Sequence, residues 1–234
     1  MGQEIIVLTF KLLKMKNKIK FITSVFLLLL SFGFSSCEKE DTDNVSKVTT
    51  YPIVTLKGDE FVSIPVGGSF SDPGVNSTIG GATVEPVIAG DAVDPSTPGV
   101  YIITYTATNP EGFSTVTKRY VGVIAPDAAG LDLSGNYKRN AGLNGVSKVT
   151  KVGMGLYTTD NIGGVAVGGP ATTVHFFHTG GTTLEVPEQT NEAGETFSAE
   201  NATYKFAAGT AAAQYSWVVI NAGYGTALRT FIKQ

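Results

Sequence analysis

Beyond residue 50 the apolar residues of this chain alternate with polar ones in short runs, and no stretch keeps a helical period. Runs bounded by Gly, Pro and Asn read as successive strands: YPIVTLKG, EFVSIPVGG, ATVEPVIAG, GVYIITYTATNPEG and STVTKRYVGVI. Strand side chains point alternately to opposite faces, so Tyr101, Ile103, Tyr105 and Ala107 are expected on one face of a single strand. A second series follows in DLSGNYKRN, VSKVTKVGMGLYTTDNIGGVAVGG, ATTVHFFHTGGTTLEVPEQ, TFSAENATYKFAAG and AQYSWVVINAGYGTALRTFIKQ. The fold class is therefore all-β. Pro, Ala and Gly interrupt the pattern at IAPDAAGLD, which divides it into a β-sandwich over 51–125 and a second antiparallel β domain over 130–234. The second is expected to be a compact barrel, lipocalin-like, or a sandwich.

The amino-terminal pattern is different. FITSVFLLLLSFGF, residues 21–34, is almost wholly apolar and follows Lys16, Lys18 and Lys20. It is shorter than the roughly 20 residues of a spanning helix and ends in the small residues Ser35 and Ser36. These are the marks of an export signal, which makes residues 1–36 an upstream extension plus a signal peptide and Met15 the natural start. Cys37 follows, with Glu38, Lys39, Glu40, Asp41 and Asp43 behind it, and residues 37–50 read as an acidic, flexible tether.

Charge narrows the function. The chain holds 17 Lys+Arg and 20 Asp+Glu; removing Lys11, Lys14, Lys16, Lys18, Lys20 and Glu4 with the signal leaves about 12 against 19. A mature chain with a net charge of about −7 argues against nucleic acid and against anionic membrane surfaces. The single cysteine excludes an internal disulfide.

The chain carries four family resemblances. Phe34, Ser35, Ser36 and Cys37 resemble the lipobox of bacterial lipoproteins, with Phe in place of the usual Leu. That resemblance implies lipidation at Cys37 and membrane contact through the lipid anchor only. The acidic stretch resembles the export signal of Bacteroidota lipoproteins and implies the outer membrane, facing the extracellular side. FVSIPVGGSFSDPGV (61–75) and VDPSTPGVYIITYTATNPEGFS (93–114) resemble bacterial Ig-like, hyalin-repeat-like surface domains, which implies a disulfide-free sandwich acting as a spacer. The LSGNY opening of the second half, its KVGMGLYTTDNIGG segment and its YSWVV strand resemble the carboxy-terminal domain of Bacteroidota surface lipoproteins of unknown function encoded near glycan-uptake systems. That implies a glycan context and no functional residues.

Catalytic and metal chemistry find little support in the residues. His175 and His178 are three apart on a strand and face opposite sides, so a shared ion needs a bulge. Asp72 and Asp91 are too few for calcium. No nucleophile turn of the GxSxG kind occurs. Glu185, Glu188, Glu192, Glu195, Glu200 and Asp160 are the acids from which a glycosidase pair could come, yet LEVPEQTNEAGETFSAEN reads as a strand leaving into a polar, Gly-bearing loop, where acids face water, and Asp160 stands in a Gly-rich turn. No catalytic residue, metal or cofactor is expected.

Binding fits better. Tyr215 and Trp217 share a face in QYSWVV, and Tyr157, Tyr224 and Asn221 lie in Gly-flanked segments where side chains can meet a sugar. The expectation is a surface-exposed outer-membrane lipoprotein acting as a non-catalytic glycan-binding or glycan-uptake accessory, with a polysaccharide or oligosaccharide and an outer-membrane glycan transporter complex as partners. Two alternatives are a structural or adhesive protein assisting an outer-membrane complex, and a lipocalin-like binder of a small ligand.

Overall fold

The structure, a computed structural model, describes residues 48–142 and 144–234. The leader, Cys37 and the acidic stretch after it lie outside the described residues. Thr49–Gln234 form one compact unit built from a sandwich and a barrel.

The sandwich has two sheets. One holds β1 (Ile53–Leu56), β3 (Val75–Ile79) and β4 (Ala82–Thr83); the other runs β2 (Phe61–Pro65), β7 (Ser114–Ile124), β6 (Gly99–Thr108), β5 (Val87–Gly90). Ile103, Tyr105 and Ala107 are buried along the inner face of β6, as alternation dictates. Ile103 and Tyr105 pack with Val121 of β7 against Val54, Leu56, Phe70 and Val75.

The DPGV turn is locked from inside. Asp72 accepts the Gly74 N–H (3.0 Å) and the Tyr105 hydroxyl (2.7 Å), and meets the guanidinium of Arg119 at 3.2 Å. Gly74 has φ +71°, a conformation that glycine takes without strain. Arg119, fully buried on β7, also donates to the carbonyls of Lys57, Asp59 and Gly74. Its charge and donors are thus matched within the sandwich.

Both faces of β7 are covered, which explains the unbroken apolar run YVGVI. Val121 and Val123 face the sandwich core; Tyr120, Gly122 and Ile124 face the barrel. Tyr120 and Ile124 form one buried cluster with Leu156 and Phe177 of the barrel and with Ala128 of α1 (Pro126–Ala129), a single turn between the two halves. Gly122 leaves no room for a side chain, because a Cβ there would meet the Phe177 ring at 2.3 Å. Polar groups tie the same seam. Lys118 pairs with Glu188 at 2.9 Å, the Tyr120 hydroxyl donates to the Glu188 carbonyl, and Ala125 N–H donates to the Thr179 carbonyl at 2.8 Å. The sandwich is thus packed directly on the barrel wall.

The second half is a closed eight-stranded barrel in which each strand pairs antiparallel with the next: β8 (Gly135–Arg139), β9 (Val146–Gly153), β10 (Leu156–Thr159), β11 (Val174–Gly180), β12 (Thr183–Thr190), β13 (Thr196–Lys205), β14 (Gln214–Ile220) and β15 (Leu228–Lys233), which closes onto β8. Barrel and sandwich were open alternatives for this half in the sequence; closure removes the sheet edges. The interior is filled with aromatic rings. Tyr215 stacks on Phe231 at 4.6 Å, Tyr137 lies 4.9 Å from Tyr215, and Phe176 meets Trp217 edge-on at 5.6 Å. Burial along β14 alternates strictly, with Tyr215, Trp217 and Val219 inward.

Buried phenols need acceptors or donors, and the chain supplies them. Tyr137 donates to the Leu133 carbonyl (2.6 Å), Tyr157 to the Leu131 carbonyl (2.8 Å) and Tyr215 to Ser147 Oγ (2.7 Å). Burial pushes the Tyr157 hydroxyl up to about 12 and those of Tyr137 and Tyr215 well above the ordinary phenol range. Residues 131–133 thereby close one end of the barrel. A core so filled is not the ligand cavity of a lipocalin-like binder.

Candidate functional site

The structure separates the five aromatic and amide residues that the sequence singles out. Trp217 is 0 % exposed, Tyr157 0 % and Tyr215 2 %. The indole N–H of Trp217 donates to the Ile162 carbonyl at 2.9 Å, inside the barrel. These three are core residues and cannot form an exposed sugar platform, because alternation on β10 and β14 points them into the closed side of the sheet. Tyr224 and Asn221 lie elsewhere, in the loop between β14 and β15, and both line a cleft of about 300 Å³ at the open end of the barrel.

That cleft is built by two loops. Residues 160–173, between β10 and β11, fold over the mouth; the side chain of Asn161 bonds the carbonyls of Val146 and Val165 and accepts the Val165 N–H, which fixes the turn. Gly163 lets this loop lie flat on Tyr224, since a Cβ there would meet the ring at 1.9 Å. The second loop is shaped by Asn221, whose carbonyl oxygen accepts the Gly223 N–H (2.9 Å) while its amide donates to the Thr196 carbonyl (3.0 Å). Tyr224 sits half-buried between them, edge-on to Phe197 at 5.9 Å, with its hydroxyl 3.3 Å from the Pro170 carbonyl.

Arg139 and Arg229 also line the cleft, and the sequence reading did not single them out. Their position follows from phase. On β15, Arg229 lies two residues from Phe231 and directly opposite Trp217, both inward; on β8, Arg139 lies two residues from Tyr137 and opposite Phe231. Both side chains therefore emerge on the inner face, where they cap the aromatic column. Arg229 is 5 % exposed, donates to the carbonyls of Ala227 (3.1 Å) and Tyr224, and holds its guanidinium 5.2 Å above the Tyr224 ring. Burial, with the charge of Arg139 nearby, pulls its pKa down from the ordinary guanidinium value.

The acids are dispersed. Glu185 accepts the Thr179 hydroxyl (2.9 Å) and the Val100 N–H (3.2 Å) at the seam with the sandwich, where Glu188 also lies. Asp160 accepts the Lys148 N–H at 2.8 Å, and Glu200 faces solvent. Glu195, bonded by Asn191 at 2.9 Å, is the single carboxylate lining the mouth cleft among the described residues. Asp91 accepts the Ile102 N–H at 2.8 Å, and Asp72 is spent on Arg119 and Tyr105.

The two histidines part as strand alternation requires. His175 lies outside the barrel and stacks on Phe61 of β2 at 4.0 Å; His178 lies inside, its Nε2 2.9 Å from the Gly181 carbonyl. Two broader grooves of about 700 Å³ and 710 Å³ flank the seam between the halves, both touching Glu60. The first contains the paired Lys118 and Glu188 flank, and the second the Phe61–His175 stack.

No curated protein matches the chain. A Bacteroides thetaiotaomicron lipoprotein of solved structure is 24 % identical, covering 79 % of this chain and 100 % of its own, with a TM-score of 0.36. The M60 catalytic domain with two CBM51 domains of Clostridium perfringens ZmpB is 12 % identical, over 80 % of this chain and 21 % of its own, with a TM-score of 0.29. Residues 54–123, from the first strand of the sandwich to the last, match the family model for the Ig-like domain of bacterial surface proteins.

Proposed function

We propose that this protein is a lipid-anchored, surface-exposed lipoprotein of the outer membrane that binds a glycan without cleaving it, alone or as an accessory of a glycan-uptake complex. The observation that carries the reading is the cleft at the barrel mouth, where an aromatic ring, an amide and two guanidiniums converge above a barrel otherwise packed solid. Sugars are held by aromatic faces flanked by a few fixed polar groups, and ligand sites favour the mouths of β-barrels. The bacterial-surface Ig-like match and the Ser35–Ser36–Cys37 sequence support an envelope location. Among the described residues no helix is long and apolar enough to cross a membrane. Among the described residues a single carboxylate lines the cleft, and this supports a non-catalytic role, because a glycosidase acts through two.

A protein partner is the second reading. The strand β5 is exposed along its whole length at the sheet edge, with Val87 and Ile88 uncovered, and free edges are templates for pairing.

Affinity electrophoresis of residues 38–234 through gels cast with plant, host and microbial polysaccharides tests the proposal. Retardation by at least one of them, reduced in Tyr224→Ala with unfolding unchanged, is the expected result. Free migration through the entire panel would sink it in favour of the protein partner.

A further inference from the structure

The barrel mouth holds two positive charges with no negative partner among the described residues. Among the described residues, no carboxylate lies within 4.0 Å of Arg139 or Arg229, and the Nε of each is buried with no hydrogen-bond partner. Among the described residues their bonds go to carbonyl oxygens alone: Arg229 to Ala227 and Tyr224, Arg139 to Gly163 at 3.4 Å. Carbonyl dipoles satisfy donors but leave the net charge standing, and two cations sharing one poorly hydrated site repel.

The sandwich shows how the same chain treats an arginine whose work is structural. Arg119, buried like Arg229, meets Asp72 at 3.2 Å and is held by four further acceptors. The mouth pair lacks that counter-charge, although it stands beside a cleft open to a ligand. The guanidinium fork matches a carboxylate in plane and spacing, and accepts it bidentately.

We propose that the cleft takes the carboxylate of an acidic sugar residue, a uronate, between Arg139 and Arg229, with the sugar ring beside Tyr224 and Phe197. The proposal rests on the glycan-binding reading and narrows it from any glycan to an anionic one. Glu195 stands at the rim, tied to Asn191, and is placed to accept a sugar hydroxyl rather than to share the guanidiniums. A cleft of about 300 Å³ lies at the lower end of ligand pockets, which run from about 300 to 1,000 Å³, so it suits one end residue of a chain rather than a long internal stretch.

The test is isothermal titration of residues 38–234 with short oligosaccharides of galacturonate, mannuronate and glucuronate, each compared with its methyl ester, and with sodium sulfate as a bare anion. Esterification removes the charge and keeps the sugar. The expected result is that one acid binds at least about 30-fold more tightly than its ester, the loss typical of a buried charge pair deprived of one partner. The same loss is expected in Arg139→Gln, a less buried position than Arg229, and in Arg229→Lys, which keeps the charge and loses the fork. If either variant is unfolded by thermal melting, the acid-against-ester comparison in the unaltered protein decides alone. Equal binding of acid and ester, or retention by neutral polysaccharides with no acid bound, overturns the anionic ligand and leaves the glycan reading standing. Sulfate binding as tightly as the acid overturns the sugar. Failure of acidic and neutral glycans alike removes both.

Discussion

Replacing Trp217 by alanine is expected to damage the barrel before it damages any ligand surface. The indole is 0 % exposed and lies 4.5 Å from Tyr215, 5.6 Å from Phe176 and 5.8 Å from Phe231, ring centre to ring centre. Truncating a large buried aromatic costs about 3 to 5 kcal/mol through lost transfer energy and the cavity left behind. Loss of the N–H also orphans the Ile162 carbonyl, which adds about 1 kcal/mol and places the change at the upper end of that range. Against a total stability of about 5 to 15 kcal/mol, this is a large fraction. With a urea slope of about 2 kcal/mol/M, the unfolding midpoint should fall by about 2 M. Trp217→Phe keeps most of the ring volume and should lose far less. Because Trp217 is the chain's one tryptophan, its fluorescence reports both unfolding and shielding from a soluble quencher. A Trp217→Ala protein whose midpoint moves by less than about 0.5 M, in a chain whose indole is freely quenched, would refute the packed interior.

The seam between sandwich and barrel gives a second expectation. Gly122→Ala forces a methyl group into the Phe177 ring, and overpacking of this kind costs about 1 to 3 kcal/mol; Phe177→Leu should recover part of it, so that the double variant is less destabilised than the sum. Additive losses would mean that the two residues do not meet. A third concerns pH. Burial lowers the pKa of His175 below its ordinary 6.5, so the unfolded chain binds more protons than the folded one just below that value. The stability associated with neutral His175 is complete above 6.5 and is lost as pH falls from there towards the lower folded value. His175→Gln should flatten the urea midpoint between about pH 7.5 and pH 5.5, and an unchanged slope would rule out burial of this imidazole.

Where one face of a strand is plainly apolar, the pattern carried the fold: Ile103, Tyr105 and Ala107 follow from YIITYTA alone, and the DPGV turn from its proline and glycine. Closure of the second half was not legible, because a barrel and a sandwich draw on the same alternation and differ only in whether β15 finds β8. Trp217 was misplaced for a related reason. Alternation says that Tyr215 and Trp217 share a face, but not whether that face is the inside of a barrel or an outer platform. Arg229 was legible in principle, since ALRTFIK sets it in phase with Phe231, and an arginine in phase with core aromatics calls for a partner. The role of IAPDAAGLD was hidden in the opposite sense. Its composition marks an interruption, yet Ala128 is wholly buried and joins the two halves.

The most direct measurement is hydrogen–deuterium exchange of residues 38–234 with and without a saturating uronate oligosaccharide. Slowed exchange is expected in the two mouth loops, 160–173 and 221–227, with the sandwich and the grooves at the seam unchanged. Protection confined to β5 or to the seam, with the mouth loops exchanging as in the free protein, would contradict it.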